Sequence, residues 1–259
     1  MKSLMLLVGL AVCWACTSKN QKESTTLSDE ASFVNSIEKV HHKKDFMAKE
    51  AIAFDFDLTF GGNQVMVGKV TVATNSSRIR IDREDGLCLV YDGKLVYQTP
   101  DSVEHPMARF DIFTWPYFFA MPFKLSDPGT QWQMQENATV NERTCKVGKL
   151  TFEKGTGDAP DDWYLIHQDL DNHRLYAAVY IVTFGKTFEE ANEKPHAISY
   201  HDYQEVEGVP MATTWNFWEW NKDLGFTKQL GEARLSNIEF VQPEPGFFSR
   251  PDKAKLITL

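Results

Sequence analysis

From residue 52 the chain is apolar at every second position: Ile52, Phe54, Phe56, Leu58 and Phe60 alternate with Ala53, Asp55, Asp57 and Thr59. A period of two belongs to a strand with one face buried and the other wet. Similar runs follow at 65–74, 78–83, 87–91 and 94–98, and again at 130–137, 144–153, 163–169, 175–184, 197–205, 211–220 and 226–241. Short polar turns part them, among them Gly61-Gly62-Asn63, Asp171-Asn172 and Glu207-Gly208. Asp92-Gly93 suits the positive φ angles of a type I′ hairpin. From 52 to 98 strand follows strand without a helix-length insert, which is antiparallel meander logic and not βαβ logic. The expected fold is mainly β with minor α. About eleven strands in one layer twist into a strongly curved antiparallel sheet, a half-open barrel with a concave side to fill.

Two segments break the strand rhythm. Ser28 can cap a helix carrying Phe33, Ile37 and Val40 at i, i+4 and i+7, and a further helical turn is expected around Phe46. Between 105 and 126 the chain holds Pro116 and Pro122 among seven aromatic residues. No central strand carries two such prolines. This segment is therefore expected to be a short helix and loop laid as a lid over one face or mouth of the sheet. Residues 243–255 read as a C-terminal coil.

The N-terminus carries an address. Lys2 and Ser3 precede an apolar run, Leu4 to Val12, too short to span a bilayer but suited to a signal peptide. The run ends at Cys13-Trp14-Ala15-Cys16, and the chain then turns polar at Thr17-Ser18-Lys19-Asn20. A cysteine at that break resembles a bacterial lipobox. Cys16 has Ala15 before it but Cys13 where leucine is usual; Cys13 has Leu10 but Val12 where a small residue belongs. Cys16 is the expected lipidation site. Residues 1–15 are then a signal peptide, 16–27 the lipidated cysteine and a flexible tether, and 28–259 a single curved-sheet domain. The anchor would hold the protein on the membrane of the cell envelope, on its periplasmic or surface face, without spanning it. The formal net charge is −9, one unit more negative once Lys2 is removed. That excludes the basic face of a nucleic-acid binder.

Catalytic signatures are missing: no Gly-x-Ser-x-Gly, no phosphate-cradling Gly-x-x-x-x-Gly-Lys and no His-Glu-x-x-His occurs. No catalytic residue, metal or cofactor is expected, and the chain reads as a binder rather than an enzyme. The acidic loop 155–162 holds Asp158, Asp161 and Asp162 but lacks calcium-loop spacing, so it reads as a solvated connection. His196 and His201 fall five apart on one strand and thus on opposite faces, wrong for a shared metal. Cys88 and Cys145 lie in separate strands and read as buried free thiols. The aromatic residues gather in two places. Phe110, Phe113, Trp115, Phe118, Phe119 and Phe123 form one cluster; Trp215 and Phe217 share a face in the other. Some fill the core, and all eight are candidates to line an apolar cavity.

With these stretches in hand the chain resembles an uncharacterised, domain-of-unknown-function family of Bacteroidetes-type envelope lipoproteins. The carrying residues are 113–119 (FTWPYFF), 122–125 (PFKL), 157–164 (GDAPDDWY), 180–184 (YIVTF) and 196–200 (HAISY). In architecture, the leading helix and curved sheet resemble the lipoprotein-localisation factors LolA and LolB. That likeness implies a half-open barrel, covered by helices, that holds acyl chains in an apolar cavity. The leading expectation is an envelope lipoprotein binding a lipid or other hydrophobic molecule. The alternative is a non-enzymatic interaction scaffold whose aromatic segment only fills the core; a hydrolase ranks third. An open cavity of about 300 Å³ or more under segment 110–123 separates the first two.

The anchor has a direct test. Labelled palmitate is expected to enter the wild-type protein and the Cys13→Ala variant but not Cys16→Ala, which should remain unprocessed or soluble. Label retained in Cys16→Ala and lost from Cys13→Ala would move the site to Cys13.

Overall fold

The computed structural model describes residues 27–258; the expected signal peptide, Cys16 and nearly all of the tether lie outside the described residues. One antiparallel sheet of fourteen strands dominates it. Helices α1 (Asp29–Val40) and α2 (Lys43–Met47) come first. Strands β1 (Ala51–Phe60), β2 (Asn63–Ala73), β3 (Ile79–Arg83), β4 (Cys88–Tyr91) and β5 (Val96–Thr99) form a meander. Helix α3 (Ala108–Ala120) interrupts, and its last turn tightens to 3₁₀ over Met121–Phe123. A second run follows: β6 (Thr130–Met134), β7 (Ala138–Val140), β8 (Arg143–Phe152), β9 (Tyr164–Asp169) and β10 (Leu175–Tyr180). After the short helix α4 (Phe188–Asn192) come β11 (His196–Val206), β12 (Val209–Asn221), β13 (Gly225–Val241) and β14 (Lys255–Ile257).

The strand order is β14-β5-β4-β3-β2-β1-β13-β12-β11-β10-β9-β8-β6, with β7 also on β8. One long-range pairing joins the two meanders: β13 returns to lie antiparallel on β1, with Phe56 opposite Leu235. The outermost strands, β14 and β6, do not pair with each other. The sheet therefore curves without closing, as its alternating pattern predicts.

Several local expectations needed revision. Fourteen strands form where about eleven were expected, because short segments such as β7 and β14 carry too few residues to show a period. The expected coil at 243–255 is followed by β14, which covers the β5 edge through Leu256 opposite Tyr97. The Asp92-Gly93 turn is not type I′. Tyr91 pairs with Val96 across a four-residue loop, and only Gly93 has positive φ. The Asp92 carboxylate accepts from the backbone N–H groups of Lys94 and Leu95, so the aspartate acts as an Asx turn. Helix α1 is capped by Ser28 as expected, but it buries Phe33, Val34, Ile37 and Glu38, while Val40 is half-buried.

Helix α1 reaches the sheet because β8 leaves it room. A Cβ on Gly148 would stand 2.7 Å from a ring carbon of Phe33, so that ring sits directly on the strand backbone. Phe33 also meets Trp132 edge-on at 5.7 Å. At the end of α1, buried His41 accepts the Leu175 N–H through Nε2 at 3.1 Å. Burial lowers its pKa to about 3, so the ring is neutral and ties α1 to β10 without burying a charge.

The proline-containing segment forms more helix than its composition suggests. Pro116 sits inside α3, and Pro122 begins the tightened turn after it. Each proline removes one helical N–H donor. Pro122 would have served the Phe118 carbonyl, which is buried. The hydroxyl of Tyr200 on β11 donates to that carbonyl at 3.0 Å and replaces the missing bond. Tertiary structure thus completes a hydrogen bond that the local sequence cannot make. Removing the hydroxyl with Tyr200→Phe should leave the carbonyl unpaired and cost about 1–3 kcal/mol. Chemical denaturation should show that loss without a change in fold; an unchanged midpoint would show that the bond contributes nothing.

Candidate ligand cavity

Helix α3 is apolar on both sides, and the two sides do different things. Ile112, Trp115, Phe118 and Phe119 are buried, while Phe110, Phe113, Thr114 and Tyr117 are half-buried. The second set falls at i, i+3, i+4 and i+7, a single stripe along the helix. An apolar helix with a wet far side would expose large rings to water. Here the stripe faces a cavity of about 600 Å³, partly open to solvent. That volume is within the range of small-molecule sites.

The walls come from both meanders. The β2–β3 turn and Tyr91 of β4 stand on one side; Tyr164 of β9, Tyr180 of β10 and the segment after it stand on the other. Each ring of the stripe meets a ring from a wall. Phe113 lies 5.0 Å from Tyr91, Phe110 lies 5.7 Å from Phe184, and Tyr117 lies 5.6 Å from Tyr164. Helix and sheet thus enclose the space between them with aromatic faces. Burial raises the phenol pKa of Tyr117 and Tyr180 above the ordinary value, so their tips stay neutral donors.

The eight aromatic residues singled out from the sequence divide between this cavity and the core. Phe110, Phe113 and Phe118 line the cavity. Phe119 stacks on Phe54 at 4.4 Å, Phe123 on Phe46 at 3.9 Å, and Trp215 packs on Phe56 at 5.5 Å. Trp115 and Phe217 meet edge-on at 5.9 Å. These five are core. Phe119, Phe123 and Trp215 border only a void of about 10 Å³, room for one water and no more. The helical period explains the division, since residues 112, 115 and 119 face the sheet. The same period would have pointed to Tyr117; Tyr91, Tyr164 and Tyr180 carry no such signal because strands β4, β9 and β10 are buried along nearly their whole length, so alternation does not mark the cavity side.

The acidic loop is a wall of the cavity. Asp158 forms an ion pair with Arg109 of α3, whose Nε donates to Oδ2 at 3.0 Å. The Arg109 guanidinium lies 5.3 Å from the centre of the Phe113 ring. Asp162 accepts from both the N–H and the hydroxyl of Thr183, at 2.9 and 2.7 Å. Burial raises the pKa of its carboxyl. Asp158 and Asp162 are thus turned to separate protein partners, and Asp161 is exposed. Among the described residues no three His, Cys, Asp or Glu side chains are placed to hold a metal ion.

The remaining polar candidates have structural partners. The β11–β12 register runs unbroken from His196 opposite Glu219 to His201 opposite Thr214, so the two histidines take opposite faces. A hydrogen bond of 2.8 Å links His201 Nε2 to Ser199. Cys88 and Cys145 are buried free thiols, each pushed up to about 12 by burial.

No protein-family model matches this chain, and no curated protein sequence does. Among solved structures, a LolA superfamily protein from Nitrosomonas europaea superposes with a TM-score of 0.53 at 13% identity, over 85% of this chain and 96% of that one. A DUF1329 family protein from Desulfovibrio piger gives a TM-score of 0.46 at 12% identity, over 83% of this chain and 97% of that one. The first likeness establishes the fold as LolA-like.

Proposed function

We propose that this protein is a cell-envelope lipoprotein that holds a lipid or another hydrophobic small molecule in the cavity between α3 and the two meanders. One observation carries the reading: the half-buried stripe of Phe110, Phe113, Thr114 and Tyr117 faces a cavity of about 600 Å³. A helix needed only to complete a core would turn its second aromatic face into packed side chains or replace it with polar residues. The LolA-like fold supports the same reading, as does the lipobox-like Cys16, which would anchor the domain beside a membrane. The motif stretches quoted above, which resemble Bacteroidetes-type envelope lipoproteins, support an envelope role as well. In this role the protein binds and releases; it needs no catalytic residue and no cofactor.

The two faces of α3 allow a paired test with N-phenylnaphthylamine, an uncharged apolar dye that brightens in apolar surroundings. The wild type should bind it saturably. Phe113→Ala, on the cavity side, should weaken binding about tenfold, the effect of roughly 1.4 kcal/mol of lost contact, with little change in melting temperature. Phe119→Ala, on the core side, should cost about 3–5 kcal/mol of stability and leave binding by the folded fraction intact. No saturable binding by the wild type, or equal loss of stability on both faces, would contradict the cavity reading and favour a scaffold with a filled core.

A further inference from the structure

The charges around the cavity cancel in two pairs, and two are left over, one of them buried. Arg109 is matched by Asp158, and Lys124 by Asp127 at 2.5 Å. Lys94, at the rim, is exposed and keeps its water. Asp162 is different. It lines the cavity and is only 9% exposed, yet no Lys, Arg or His among the described residues forms a salt bridge with it. Both Thr183 bonds go to the same oxygen, Oδ1. Oδ2 accepts no hydrogen bond from any described residue. Oδ2 is not sealed among the buried unpartnered atoms, so it opens onto the cavity and is free to accept a hydrogen bond from a ligand donor there.

The rings beside it suit one kind of partner. Tyr117, Tyr164 and Tyr180 line the same cavity. Tyr164 and Tyr180 are cross-strand partners with near-parallel rings 6.2 Å apart, and Tyr117 meets Tyr164 at 5.6 Å. Burial raises all three phenols, and the negative charge of Asp162 adds to the effect. Aromatic faces attract cations. An ammonium group would receive those faces and donate to Oδ2, in a charge-assisted bond stronger than a neutral one. The stripe of Phe110 and Phe113 remains for an apolar body.

From this geometry we propose that the ligand is an amphiphilic amine, with its ammonium group beside Asp162 and its apolar body along the aromatic stripe of α3. The proposal rests on the cavity reading above and names the chemistry of what fills it. An alkyl carboxylate of equal length would set its charge against Asp162 and should be rejected.

Three ten-carbon probes that differ only in head group separate the outcomes: decylammonium, decanoate and decanol, each displacing N-phenylnaphthylamine. The salt should be about 0.15 M, so that the overall negative charge of the protein is screened beyond about 8 Å. In the wild type, decylammonium should bind about tenfold more tightly than decanol, and decanoate more weakly than either. Asp162→Asn keeps an acceptor for Thr183 and removes the charge. It should bind decanol as the wild type does and lose the preference for the amine. Decanol bound with no preference for the amine, or a preference that survives in Asp162→Asn, would overturn the proposal and leave the hydrophobe reading in place. If none of the probes binds, the cavity reading falls and the amine with it. Equal melting temperatures for the two proteins would confirm that the substitution leaves the fold intact.

Discussion

The structure depends on the seating of α3 inside the curve of the sheet. Phe119 stacked on Phe54, with Trp115 at 6.0 Å from Phe56, fixes the helix against the central strand β1. Strand β1 is also where β13 returns and where the two meanders become one sheet. An open sheet of this size has a concave face that cannot be left wet. A helix apolar on one side would cover it and stop there. Because α3 is apolar on both sides, covering the core creates a second apolar surface that faces the outer strands, and the cavity forms on that surface.

The helix is also fastened by polar groups, which packing alone would not require. Buried Asp111 accepts from Trp115 Nε1 at 2.9 Å and from His105 Nε2 at 2.7 Å, which pins the start of α3. Buried Glu38 of α1 accepts from Lys43 and from both the backbone and the hydroxyl of Ser126, all within 2.9 Å, which pins the segment that leaves it. Tyr200 holds the middle through the Phe118 carbonyl. Satisfied networks of this kind specify one arrangement more sharply than apolar contact does. They keep the cavity-facing stripe at a fixed depth. The opposite wall meets α3 through the ion pair of Arg109 and Asp158.

Much of the fold was legible in the sequence because a strand with one buried face writes its period directly into the residues. Ile52 to Phe60 did so, and Ser28 marked the first helix. The missed elements share a physical reason. Strands β7 and β14 span three residues each, and α4 spans five, too short for any period to register. In the segment 105–126 the prolines limited the expected helix to a short one followed by a loop, and the distant Tyr200 hydroxyl, in place of the donor lost at Pro122, supports the longer helix observed. The site was legible only in part. Composition found the aromatic segment, but a helix apolar all round gives no sign of which face meets the core. The partners across the cavity, Tyr164, Tyr180 and Asp162, belong to strands and a loop that local patterning cannot relate to α3. Asp162 read as one of three loop carboxylates until the structure paired Asp158 with Arg109, exposed Asp161 and buried Asp162 beside Thr183.

In the proposed function the space beside α3 is kept for a bound hydrophobic molecule and is not an incidental gap in packing. Native mass spectrometry of the protein released gently from its own envelope tests this most directly. The expected result is one noncovalent hydrophobic adduct per chain, lost on unfolding and reduced in the Phe113→Ala variant. A wild-type protein that appears only at its covalent mass, with its fold intact, would contradict it.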